Sequence, residues 1–588
     1  MTRTHLNSFC LIALCCCLFT GCGVNKHSPA ANNNPDAVTA KAKQLIGEKL
    51  KENNHLPVEE RIALYHRLKK ESPDGYNFES RDELNMYGYS LLWSNLPKEA
   101  LAIFKLNVEQ FPDWFEGYDS LGEGYMNNGD NEKAIANYER SLELNAGNFN
   151  AEDQIERIKF PDKKPETFAD KFNRVYTVQA YKDDLDQLGR KLTEINPAAL
   201  KFISKENFWK IVEAKKALIT EKTSFSQFYW HCKEIIASIN CSHTYTDDFF
   251  RQADIPLSLR FPLQTRLVDG RLFVIEAINE NNVAVKDEIL SINGVPVSKL
   301  VPDIYRHIQS QGYVETTKRH FFNRWSTALI PFAMNFPEKY EIQVKGKEGT
   351  VQLNPSKTYK VQNEDPSVKQ CKDGLCFEIL KDKKTAVLTV ASFNYYPWNN
   401  LSVFKDFMDS RFKEIQEKGI TNLIIDVRFN GGGSSESSIH LLKYLVDKPF
   451  TYYADIQIKK GSGKSEGEIP QAPFANAFKG KLYFLIDGNG KSTTGHFMAS
   501  VKVLKLGTIV GEELGSNQYC TAGQTIARLA NTKLNYFIAD TGVETMATSL
   551  PDETGVLPDH YVTQSIEEYL NKTDAVKEFT LKLIDKYK

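Results

Sequence analysis

The run Leu423-Ile-Ile-Asp-Val-Arg-Phe-Asn-Gly-Gly-Gly433 reads as a buried strand that passes straight into three glycines and then into a helix. Glycines leave backbone N–H groups bare, and a helix that starts just after them adds its positive end, so the turn suits an anion or a developing oxyanion. It lacks the Lys-Ser/Thr of a phosphate loop and the spacing of a dinucleotide fingerprint, which ranks phosphate binding lower. A second unit repeats the plan: the strand Leu482-Tyr-Phe-Leu-Ile486 runs into Asp-Gly-Asn-Gly-Lys-Ser-Thr-Thr-Gly-His-Phe497 and opens a helix at Ser492. There the hydroxyl can attack while the N–H of Thr493 steadies the oxyanion, although a lone serine at that place more often only caps the helix. Strand-like runs at 386–390, 422–427 and 482–486 alternate with helical patterns at 400–417, 434–446 and 494–505, so residues 370–588 are expected to form an α/β core.

Outward from that core the pattern changes. Residues 256–360 hold short alternating runs such as Leu272-Phe-Val-Ile275 and Tyr340-Glu-Ile-Gln-Val344, the signature of a small β-rich module. Within it, Lys286-Asp-Glu-Ile-Leu-Ser-Ile-Asn-Gly-Val-Pro-Val297 places a tight turn at Asn293-Gly294 and resembles the strand-turn-strand part of the peptide-binding PDZ fold. Such a module either pairs an extended peptide along its edge or only braces the core. Residues 168–255 read as helical. Residues 57–155 repeat at a period of about 34, the tetratricopeptide spacing: Gly88 recurs as Gly122, Leu84 as Tyr118, Tyr87 as Leu121, Leu91 as Tyr125, Ala100 as Ala134 and Phe104 as Tyr138. The small residues let paired helices approach and the aromatics fill the gaps, giving a surface that suits a protein partner.

The amino terminus looks like export machinery. Arg3 and His5 precede an apolar run at 9–19 that ends in Thr20-Gly21-Cys22; the run is about half as long as a membrane-spanning helix. Small residues before a cysteine resemble a bacterial lipoprotein signal covering 1–22, with Cys22 acylated; an ordinary secretory signal is the alternative. Residues 23–56, polar and small at their start, are read as a tether. These features predict a cell-envelope lipoprotein held to the membrane through Cys22, facing the periplasm or the cell surface.

Composition agrees with a globular body: of 588 residues 41% are hydrophobic and 25% charged, and 73 Lys plus Arg balance 75 Asp plus Glu, so no strong field favours nucleic acid. Five of the ten cysteines belong to the first 22 residues; of the rest, Cys371 and Cys376 flank a turn-like Lys-Asp-Gly-Leu and either close a hairpin bridge or stay as two half-buried thiols. No cysteine pair or histidine cluster suggests a metal, and no organic cofactor is expected.

The order Asp-Val-Arg-Phe-Asn-Gly-Gly-Gly, then strand-Ser-helix, then Ile509-Val-Gly-Glu-Glu-Leu-Gly515 resembles the C-terminal-processing and tricorn-type serine peptidases over residues 225–565. The resemblance implies a crotonase-like α/β peptidase core, a PDZ-like insertion, Ser492 as nucleophile, an oxyanion hole from Gly431, Gly432 and Thr493, and extended or unfolded peptides as substrates. Its processing branch uses a Lys just after the glycine matching Gly515, where this chain has Ser516-Asn517. The tricorn branch uses a Ser-His pair ahead of the PDZ module, which Ile239-Asn-Cys-Ser-His-Thr244 matches as Ser242 and His243. Histidine is the commonest general base because its pKa lies near neutrality. An acid downstream then orients the pair: Glu553 first, in Pro551-Asp-Glu-Thr-Gly-Val-Leu-Pro-Asp559, with Asp552 and Glu544 behind it. Gly495 replaces the Glu that many relatives carry, His496 is an alternative base one turn after Ser492, and Lys491 reads as a surface charge. A binding protein on an inactive peptidase core, or a scaffold that works through its repeats, remains the rival reading.

Overall fold

Arg81–Trp93 and Pro97–Gln110 form one helix pair and Phe115–Asn127 and Asn131–Leu144 the next, each helix offset from its counterpart by the 34 residues of the sequence repeat. The repeated spacing has a steric cause. A Cβ on Gly88 would stand 2.4 Å from the Phe104 ring and one on Gly122 would stand 2.9 Å from Tyr138, so each glycine admits the aromatic of its own pair. Ala100 and Ala134 are fully buried at equivalent places. These helices come from a computed structural model that describes residues 44–164, 166–251, 253–276, 282–356, 365–368, 371–395, 401–456 and 466–586. Cys22, the signal segment and most of the tether lie outside the described residues.

The helical unit runs to Glu166 and a second unit begins at Thr167. The helical unit also takes in part of the stretch read as tether: Ile46–Lys51 is a helix whose Ile46 and Leu50 pack in the same core as Leu64, Tyr65 and Leu84. Six residues are too few for a periodicity to stand out.

In the second unit, the helices Val178–Ile195, Lys205–Leu218 and Phe225–Ala237 share one hydrophobic core with an antiparallel sheet. That sheet runs in the order Gln264–Val268, Arg271–Glu276, Glu288–Ile292, Tyr340–Val344, Val351–Leu353. The segments read separately as 168–255 and 256–360 are thus fused through their apolar interior. The β-rich reading also overlooked two helices between the strands, Val297–Tyr305 and Glu315–Ala333, the second burying Phe322, Ser326, Leu329 and Ile330 at helical spacing.

The remaining core is a six-stranded mixed sheet in the order His560–Tyr561, Thr508–Gly511, Lys481–Ile486, Asn422–Asp426, Thr385–Val390, Leu375–Ile379. All neighbours are parallel except the last pair. Leu423 and Ile425 face the core containing the helices Ser402–Glu417, Ser435–Lys443 and Thr493–Val503, while Ile424 faces the opposite way, toward Ile584 of the C-terminal helix Ala575–Lys586. Burial on both faces explains why the strand is a continuous apolar run. Two small sheets complete the unit. Tyr245–Thr246 pairs with Asn535–Ile538, and Tyr453–Ile456 and Tyr519–Ala522 flank Thr541–Thr545. Cys371 and Cys376 are joined by a disulfide, while Cys232, Cys241 and Cys520 are free and buried. No helix among the described residues is long and apolar enough to cross a membrane.

Candidate active site

Asn422–Asp426 and Lys481–Ile486 are adjacent parallel strands with Asp426 opposite Leu485, so the two motifs that follow them emerge side by side at the carboxyl edge of the sheet. Open α/β sheets bind ligands at that edge. The first motif is held rigid by its own side chains. Arg428 donates to Asp426 (2.9 and 2.7 Å) and to Asp574 (2.8 and 2.8 Å), a buried fork between two carboxylates. Phe429 adopts φ +63° and gives its N–H to Asp487 Oδ1 (3.1 Å). Asn430 donates its amide to Val390 O (2.9 Å) and accepts the Gly432 N–H at Oδ1 (2.9 Å).

The second motif closes onto the first. Lys491 N–H reaches Asn430 O (3.2 Å), Thr494 Oγ1 donates to the same carbonyl (2.9 Å) and Thr493 Oγ1 donates to Gly433 O (2.6 Å). Gly432, at φ +98°, lies so close that a Cβ would stand 2.7 Å from both Lys491 O and Ser492 Cβ. Ser492 stands at the N-cap position with φ +52° and ψ −125°, a backbone region that costs a non-glycine residue about 1–3 kcal/mol. It does not cap: its hydroxyl makes no capping bond and has no other hydrogen-bond partner among the described residues. A strained strand-to-helix turn that leaves a serine hydroxyl unspent is the geometry of a nucleophile elbow.

Of the three residues expected to line an oxyanion hole, Gly432 has its N–H committed to Asn430, while the N–H groups of Gly431 and Thr493 have no acceptor among the described residues. The Gly433 N–H is equally uncommitted.

The Ser242–His243 segment is fastened to the small sheets. Cys241 Sγ lies 2.8 Å from Thr521 Oγ1, Thr244 Oγ1 bonds Asn196 Nδ2 (3.1 Å) and Ala539 N–H (3.0 Å), and Gln524 Nε2 donates to His243 O (3.2 Å). Ser242 Oγ is 3.2 Å from His243 Nδ1. Burial, reinforced by the Lys491 charge, lowers the His243 pKa to about 4. No hydrogen bond joins Ser492 to His243 among the described residues; His243 senses the charge of Lys491, the residue before Ser492, and His496, four residues after Ser492, senses His243.

Several expected roles meet different surroundings. Glu553 is exposed and its carboxylate touches neither Ser242 nor His243; its carbonyl instead accepts the Tyr313 N–H (2.8 Å). Asp552 pairs with Lys201 (2.7 Å) and accepts from Gln518, which also donates to Glu544 (3.3 Å). Lys491 is half-buried, and desolvation holds its ammonium below the ordinary value against the pull of Asp248 and Asp487. His496 is buried with Nε2 turned to Cys520 Sγ (3.1 Å), and burial brings its pKa to about 3. Gly495 has no room for a longer residue, since a Cβ would stand 2.6 Å from Ser516 Oγ. Asn517, where the processing branch has its Lys neighbourhood, donates to Asp552 O (2.6 Å) and Thr554 O (2.7 Å) and so shapes the 552–554 loop. Gln311 escaped the sequence reading: it accepts from Ser242 Oγ (3.4 Å), and a glutamine in a Ser-Gln-Gly turn carries no signal of its own.

No curated protein sequence matches the chain. Among solved structures, a putative peptidase from Parabacteroides merdae aligns at 14% identity over 68% of this chain and 96% of its own, with a TM-score of 0.38. Mature CPAF complexed with lactacystin aligns at 13% over 69% and 97%, TM-score 0.48. The tricorn protease aligns at 14% over 69% and 36%, TM-score 0.30. Residues 384–562, which contain both strand-end motifs and Ser492 but not His243, match the profile of Peptidase family S41. Residues 384–562 are therefore a domain of the peptidase family S41 type.

Proposed function

We propose that the protein is an exported, lipid-anchored serine endopeptidase of the cell envelope that cleaves extended or unfolded polypeptides with Ser492 as nucleophile and His243 as base. The observation that carries the reading is Ser492 itself, strained, uncapped and pressed against Gly432 at the edge of the S41 sheet. In the reaction His243 Nε2 takes the Ser492 proton as Oγ bonds to the peptide carbonyl carbon. The oxyanion is received by the uncommitted N–H groups of Thr493 and the glycine turn. The C–N bond then breaks with the proton passing from His243 to the leaving amine. Water, losing a proton to His243, releases the acid and restores Ser492. The core is crotonase-like in this reading, the sheet from 264 to 353 is a PDZ-like module offering an edge strand to the substrate, the tetratricopeptide-like pairs hold a protein partner, and Cys22 carries the lipid.

A second reading has support of its own: among the described residues Ser492 and His243 share no hydrogen bond and no carboxylate bonds to Ser242. This favours a peptide-binding lipoprotein on an inactive peptidase fold. Hydrolysis of an unstructured protein by the full chain, compared with Ser492→Ala and His243→Ala, separates the two. The peptidase reading expects turnover in the parent and a loss of at least about 10³-fold in both variants. Equal rates in all three, or none in the parent, favours the binder.

A further inference from the structure

We propose that Gln311 ends a hydrogen-bonded relay, His243 Nδ1–H to Ser242 Oγ–H to Gln311 Oε1, that fixes the imidazole in the tautomer whose Nε2 is free to act as base. The inference rests on the reading of His243 as the base. The links are 3.2 Å from His243 Nδ1 to Ser242 Oγ and 3.4 Å from Ser242 Oγ to Gln311 Oε1.

Direction follows from donor chemistry. An amide oxygen only accepts, so Ser242 spends its single proton on Gln311 and offers His243 lone pairs alone. A neutral ring can then bond to Ser242 only by carrying its N–H on Nδ1, and the lone pair is left on Nε2.

The turn that presents Gln311 is built for that place. Gly312 gives its N–H to Asn240 O (3.0 Å), two residues before Ser242, so one contact ties both ends of the relay together. Tyr313 N–H bonds Glu553 O (2.8 Å) and Ser310 Oγ bonds Gly312 O (3.1 Å). Gly312 adopts φ +54°, and a Cβ there would stand 2.5 Å from Glu553 O, so no other residue keeps this approach. Gln311 is 1% exposed, out of reach of competing water. The segment expected to supply an acid therefore supplies a carbonyl that docks the turn, and a neutral amide takes the terminal position. A neutral end leaves the imidazolium without a carboxylate to stabilise it, consistent with the low His243 pKa set by burial and Lys491. Gln311 touches no reacting atom; it is a positioning residue.

The test uses the full chain labelled with ¹⁵N-histidine, with His243 assigned by difference from His243→Ala, alongside peptide hydrolysis. The wild type at neutral pH is expected to show His243 protonated on Nδ1. Gln311→Leu should mix the tautomers and lower kcat by about 10²-fold with KM unchanged. Gln311→Glu, an acceptor without a donor, should keep the tautomer, restore kcat and raise the His243 titration by about one to three units. A wild-type ring protonated on Nε2 overturns the relay whether or not the variants fold, as does a Gln311→Glu titration that stays in place. A wild type with the expected tautomer but no hydrolysis defeats the peptidase reading and leaves the relay standing; hydrolysis that needs Ser492 and His243 with the other tautomer does the reverse.

Discussion

Replacing Gly432 with alanine should damage both stability and catalysis, whereas the same change one residue earlier should not damage the fold. At Gly432 φ is +98°, and the new Cβ meets Lys491 O at 2.7 Å, Ser492 Cβ at 2.7 Å and Thr493 N at 3.1 Å. The backbone penalty is about 1–3 kcal/mol. Overpacking against main-chain atoms that cannot rotate away adds about 1–3 kcal/mol, so the total is about 2–6 kcal/mol. Part of that strain is relieved only if the glycine turn retreats from Ser492 and Thr493, which displaces an oxyanion donor and costs about 10²–10³-fold in kcat. At Gly431 a Cβ meets nothing within 4 Å and φ is ordinary, so alanine should leave stability unchanged or raise it by less than about 1 kcal/mol. Urea denaturation of the two variants, with kcat measured on Gly432→Ala, reads both effects. Equal stability of Gly431→Ala and Gly432→Ala would refute the packing argument, and an undiminished kcat in Gly432→Ala would refute its link to the site.

Three further outcomes are expected. Arg428→Met should destabilise by about 3–5 kcal/mol, because Asp426 is left buried and Asp574 half-buried without their cation; adding Asp426→Asn and Asp574→Asn should recover part of it, and a loss under about 1 kcal/mol in the single variant would contradict the clamp. Burial holds His231 and His243 near 4 and His496 near 3, so between pH 6.5 and 4 the unfolded chain binds protons that the folded chain refuses. Stability should then fall as pH falls through that window, by up to about 4 kcal/mol per pH unit from the three together; urea midpoints equal at pH 7 and pH 5 would contradict it. Lys491→Met removes a charge that lowers the His243 pKa, so the acid limb of kcat/KM should move to higher pH by up to about one unit, and an unmoved limb would show that Lys491 does not sense the base.

What was legible in the sequence was whatever a period or a turn residue writes locally. The 34-residue repeat is visible because Gly88 and Gly122 each face the aromatic of their own helix pair, and the run Leu423 to Ile425 is visible because a strand covered on both faces has no polar alternation. The Ser492 turn announced itself through the glycines around it. Contacts made across the chain left no such mark. Glu553 looked like an orienting acid because it is acidic and downstream, yet its carbonyl does the work seen here, on a turn 240 residues earlier. Gln311 meets Ser242 across 69 residues, and Lys491 reads as a surface charge because nothing next to it in sequence reveals the elements that half-bury it.

The most direct test of the central claim is covalent labelling of the full chain with a fluorophosphonate, followed by peptide mass mapping, in the wild type and in His243→Ala. A single adduct is expected on Ser492, forming at least about 10²-fold more slowly in His243→Ala. A wild-type chain that takes no label, or takes it on another residue, would contradict it.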